Sequence, residues 1–94
     1  MTANASKNVP QQNLWIRNSS NEGIVLCIEP WGNEILIPRG RDYLVMLEGP
    51  EGECPAVEYD NGRITVHGWP GSVASVLLEG QLVLSCSTRV PQIT

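Results

Sequence analysis

A chain of 94 residues with a formal net charge of −4 has room for one domain, burying about 64% of the surface that an open chain would expose. Its excess of acid is the wrong sign for gripping a phosphate backbone, so nucleic acid is not an expected partner. The apolar runs are too short to cross a membrane as a helix, and the polar opening from Met1 to Gln12 lacks the apolar stretch of a secretory signal.

In chain order, residues 1–12 read as a flexible polar lead-in, 13–87 as the domain and 88–94 as a tail. Leu14–Arg17 alternates apolar with other residues, and the polar loop Asn18–Gly23 follows. Ile24–Glu29 predicts a strand that ends at Pro30-Trp31-Gly32-Asn33. Glu34–Ile37 predicts another, cut off by Pro38, which has no N–H for a central ladder. Tyr43–Glu48 comes next, then a loop rich in Gly, Pro and Glu. Ala56–Tyr59 and Arg63–His67 flank Asp60-Asn61-Gly62, and Asn-Gly between alternating runs is a strong hairpin signal. Trp69-Pro70-Gly71 makes a corner before Val73–Leu78, which is expected to pair with Leu82–Ser85 across Glu79-Gly80-Gln81.

Short runs separated by turn residues, without any helical periodicity, predict an all-β domain. About eight short strands should form a single antiparallel β-sandwich or flattened barrel, with consecutive strands as neighbours. The runs Val25–Ile28, Leu44–Leu47 and Val76–Leu78 are apolar at successive positions. A strand wet on one face would alternate, so these runs predict either burial in the middle of the sandwich or a self-association face.

The cysteines at 27, 54 and 86 are an odd number and far apart. Without a secretory signal that pattern points to reduced thiols and a cytoplasmic location. A zinc site joining them with His67 would lack the close-spaced ligand pairs such sites use. No metal and no cofactor is expected. Cys54 stands beside Glu51 and Glu53, unlike the cationic setting that activates a thiol.

Several corners form a recurrent set: Ile16-Arg17-Asn18-Ser19-Ser20, Glu29-Pro30-Trp31-Gly32, Ile37-Pro38-Arg39-Gly40, Gly49-Pro50-Glu51-Gly52 and Trp69-Pro70-Gly71-Ser72. Their order resembles that of small bacterial proteins of undefined function, over roughly Leu14 to Leu78. The resemblance implies a bacterial, intracellular all-β domain and no particular activity.

No residue pattern spells a reaction. His67, the single histidine, has the chemistry for proton transfer. Yet no G-x-S-x-G elbow accompanies it, and scattered acids alone do not define a glycosidase pair. The expectation is a protein without enzymatic activity. Trp31 and Trp69 stand in turns, where an indole either stacks on a ligand or folds back to plug the open end of a sandwich. Glu29 and His67 lie near them in sequence, and Arg39 and Arg41 form a small basic corner. These six residues are the candidate site. The expected role is a protein-interaction or assembly module that binds a protein partner or itself. The alternative is a small-molecule module, saccharide-like in its ligand, using the turn tryptophans. No membrane association is expected.

Overall fold

The computed structural model describes residues 11–91. Eight strands follow in order: β1 (Gln11–Arg17), β2 (Ile24–Glu29), β3 (Asn33–Ile37), β4 (Asp42–Glu48), β5 (Ala56–Asp60), β6 (Arg63–His67), β7 (Val73–Leu78) and β8 (Gln81–Cys86). They form two four-stranded sheets, β1-β4-β7-β8 and β3-β2-β6-β5, so the fold is all-β and sandwich-like. Among the described residues, no helix is long and apolar enough to cross a membrane.

Strand pairing departs from the expectation of sequential neighbours. The hairpins β2–β3, β5–β6 and β7–β8 pair as expected, but β1 pairs with β4, β4 with β7, and β2 runs parallel to β6. The remaining connections cross from one sheet to the other. Each sheet buries one face only by stacking on its partner, and the crossings deliver strands alternately to the two layers.

Inward parity follows directly from register. In the first sheet Ile16, Tyr43, Val45, Leu47, Val76 and Cys86 point into the core; in the second, Ile24, Leu26, Ile28, Ile37 and Val66 do. Full burial of such side chains contributes about 1.5–3 kcal/mol each. A bond from Cys86 Sγ to Asn33 Oδ1 at 3.5 Å sets β8 against β3. Backbone pairing continues on both sides of residues 13–87. Gln11 and Gln12 pair with Glu48 and Leu47, and Val90 exchanges backbone bonds with Gly71 and Ser72 at 2.8 and 3.1 Å. The rest of the predicted lead-in, residues 1–10, lies outside the described residues, as do 92–94.

Two hairpin turns use left-handed backbone. Asn61 and Gly62 have φ of 46° and 79°, as the Asn-Gly pair predicts, and Glu79 and Gly80 have 52° and 82°. Left-handed backbone costs an ordinary L residue about 1–2 kcal/mol, and asparagine tolerates it better. Glu79 also accepts an exposed bond from Arg41 at 3.1 Å, the kind of surface pair worth little. Glu79→Asn is therefore expected to raise the denaturation midpoint, a gain of about 0.5 kcal/mol, with an unchanged slope. A lower midpoint would show that the ion pair outweighs the backbone strain.

Candidate functional site

The turn motifs converge on the two ends of the sandwich. At the end where β2 and β6 finish, Trp69 is 3% exposed, and its Nε1 donates to the Pro50 carbonyl at 3.0 Å. Ser72 closes the corner: its Oγ accepts from Trp69 N, and its own N–H donates to the Trp69 carbonyl, both at 2.9 Å. A Cβ on Gly49 would stand 2.8 Å from Ser72 Cα and 2.9 Å from Trp69 Nε1. A Cβ on Gly68 would stand 2.8 Å from the Trp31 ring, so both indoles occupy the same end. Trp31 is half-buried against the core, and its Nε1 donates to the Thr88 carbonyl at 2.7 Å.

The opposite end is organised by Asn18, which is 2% exposed. Its Nδ2 donates to the carbonyls of Glu22 and Ile37 at 2.6 and 2.9 Å. Its Oδ1 accepts from Ser20 N and Ser20 Oγ at 2.9 and 2.6 Å. Its carbonyl accepts from Gly40 N at 2.7 Å. One side chain thus ties the Asn-Ser-Ser loop to the end of β3, while its backbone holds the Pro-x-Gly turn.

The six predicted site residues are consequently not brought together. Trp31, Trp69, Glu29 and His67 lie toward the first end, whereas Arg39 and Arg41 lie on the β3–β4 turn at the other. Trp69 drops out as a ligand-stacking ring, because a side chain packed into the core presents no face to a ligand. Trp31 has already committed its only donor.

Glu29 and His67 pair in register on the outer face of the β3-β2-β6-β5 sheet. That face is polar. Glu34 and Arg63 bond at 2.9 Å, and His67 Nε2 meets Glu58 Oε1 at 2.6 Å. Between them Cys27 is buried and donates to Glu29 Oε2 at 3.1 Å. Burial first, then the bond and charge of Glu29, push the Cys27 thiol above its ordinary range, the reverse of what activates a nucleophile. No group of three or more His, Cys, Asp or Glu side chains among the described residues is placed to hold a metal ion.

The outer face of the β1-β4-β7-β8 sheet is different. Trp15 pairs with Leu44, Leu44 with Leu77, and Leu77 with Leu82, so four large apolar side chains cross the sheet in one unbroken row. The row ends are the most open, Trp15 at 72% and Leu82 at 61%, and Val83 beside the β7–β8 bulge is also exposed. The next row is Asn13, Met46, Ser75 and Ser85. On the other flank Arg17 Nη2 donates to Asp42 Oδ2 at 2.7 Å. That bond holds the Asp42 carboxyl below, and the Arg17 guanidinium above, their ordinary ranges. The charges beside the apolar row therefore satisfy one another.

A groove of about 280 Å³ opens at the β1 edge, lined by Leu14, Trp15, Ile16, Arg17, Val57 and Ile64. It exists because β5 overhangs the first sheet. Val57 and Tyr59 pair with the inward-facing Val66 and Ile64, yet remain 54% and 69% exposed.

Comparison with known proteins finds no matching family model, curated protein or solved structure. The surface residue that the sequence reading passed over is Trp15. Its signal was parity: with Leu14 and Ile16 directed inward, the residue between them must face out.

Proposed function

We propose that this domain is a non-catalytic protein-interaction module whose working surface is the outer face of the β1-β4-β7-β8 sheet. The observation that carries this reading is the row Trp15–Leu44–Leu77–Leu82. An antiparallel sheet with one wet face normally alternates apolar with polar. Here one row of the outer face is apolar from edge to edge between polar rows. On the outer face of the other sheet the described residues form a single two-residue apolar pair, Leu36 with Val25, among charged side chains. Contiguous exposed apolar surface with polar flanks is characteristic of a docking site, and tryptophan is among the residues enriched where binding energy concentrates. Free thiols at Cys27, Cys54 and Cys86 suit the reducing cytoplasm in which we place the protein. The saccharide-binding alternative has less support, since Trp69 is buried and the Trp31 N–H is engaged.

Elution from native cell extract tests the reading. The wild-type chain is expected to elute well above its 10.3 kDa mass. Trp15→Ser combined with Leu82→Lys is expected to elute as free chain with its denaturation midpoint little changed, because both side chains are exposed. If the wild-type chain elutes free at every loading concentration, or the variant keeps its complex, the surface has been misassigned.

A further inference from the structure

We propose that the occupant of this face is a second copy of the same chain, the two sheets packing face to face about a two-fold axis that runs parallel to the strands between β4 and β7. The inference rests on the interaction reading above and names its partner. A rotation of this kind keeps each row opposite the same row of the other copy and reverses it from side to side. Trp15 then faces Leu82 of the second chain, and Leu44 faces Leu77. In the adjacent row Met46 falls opposite Ser75, and Asn13 opposite Ser85. Apolar meets apolar throughout the first row, and a long side chain meets a short one in the second. An axis perpendicular to the strands would instead set the Asp42 row against the Met46 row, leaving a carboxylate over a thioether.

Charge permits the contact despite the net −4 of each chain. On this face Arg17 and Asp42 are bonded to each other, and at its edge Arg41 is bonded to Glu79. Glu48, which accepts from Gln11 Nε2 at 3.1 Å, stands two rows away and falls opposite Val73 of the second copy, so no unpaired charge is set against the apolar row. Unpaired buried charge is what most penalises association. The face has four strands about 4.8 Å apart, each with a rise of about 3.3 Å per residue. That gives roughly 400 Å² of projected area per copy, so the pair buries on the order of 800–1,000 Å², near the lower limit for specific interfaces. The dimer is therefore reversible and dissociates on dilution.

Sedimentation of the purified chain from low micromolar to near-millimolar concentration, combined with cross-linking, tests both partner and geometry. Asn13→Cys and Ser85→Cys are made in separate chains, each carrying Cys54→Ser to remove the exposed native thiol. Both new thiols lie beside the apolar row and leave it intact. A short bis-maleimide is expected to link the two variants only when they are mixed, because β1 and β8 lie three strand spacings apart. A concentration-dependent dimer with linkage only in the mixture supports the proposal. A dimer in which Asn13→Cys chains link to themselves overturns the two-fold geometry. A chain that stays monomeric at near-millimolar concentration overturns self-association. In that case a Trp15- and Leu82-dependent complex in extract would leave the interaction reading standing with a different protein as partner.

Discussion

Trp69→Ala is expected to destabilise the domain by about 3–5 kcal/mol, the range for truncating a large buried aromatic. A chain of 94 residues has a total stability of only about 5–14 kcal/mol, so much of the protein would unfold on mild heating. The reason is specific to this corner. Trp69 fills the end of the sandwich and bonds to the Pro50 carbonyl, and Gly49 has no room for a Cβ beneath it. Its removal empties a site that the rigid Pro-Gly turns cannot collapse to fill. Trp69→Phe should recover most of that loss, keeping ring volume and forfeiting a bond worth about 1 kcal/mol. Denaturant titration of the three proteins checks the order wild type, Phe, Ala. An alanine variant within about 1 kcal/mol of wild type would mean that the ring is dispensable to the fold.

At the other end, Asn18→Ala is expected to cost about 2–4 kcal/mol, because it strips partners from several backbone groups at once. The Ile37 carbonyl is left without its amide donor in a buried setting, and Ser20 loses the acceptor that shapes its loop. A buried group left unpaired costs about 1–3 kcal/mol. Asn18→Asp should be no better at neutral pH, since a carboxylate has no donor to offer the carbonyls of Glu22 and Ile37. Denaturation midpoints again decide. If aspartate matched asparagine, the two Nδ2 bonds would not be what holds this end together.

These two residues also show what the sequence made legible. Asn18 and Trp69 stand inside turn motifs conspicuous in the chain, and their work is architectural: each motif closes one end of the sandwich. Strand positions were legible because they depend on neighbours a few residues away. Ile24–Glu29, Arg63–His67 and Val73–Leu78 begin and end where their flanking turn residues place them. Pairing was not legible in the same way. That β1 lies beside β4 and β2 runs parallel to β6 depends on contacts between distant segments, and no local pattern encodes them.

The candidate site suffered from the same limit. Arg39, Arg41, Trp31 and His67 were grouped by chemistry, but which end of a sandwich each occupies follows from strand order. The doubly apolar runs illustrate the point further. In β2 the outward Cys27 is buried, with Glu34 and Thr65 as its register partners, so that run is enclosed. In β4 and β7 the outward Leu44 and Leu77 are partly open and continue a row from Trp15 to Leu82. The runs look alike in sequence and differ only through their neighbours.

The most direct measurement is carbene footprinting of the chain in native cell extract against the same chain purified and diluted, read out residue by residue. A working surface on the β1-β4-β7-β8 sheet predicts that labelling of Trp15, Met46 and Leu82 falls in the extract, while Leu36 and Tyr59 on the other sheet label equally in both. Equal labelling of Trp15 and Leu82 in the two samples, or protection confined to Leu36 and Tyr59, would contradict the account.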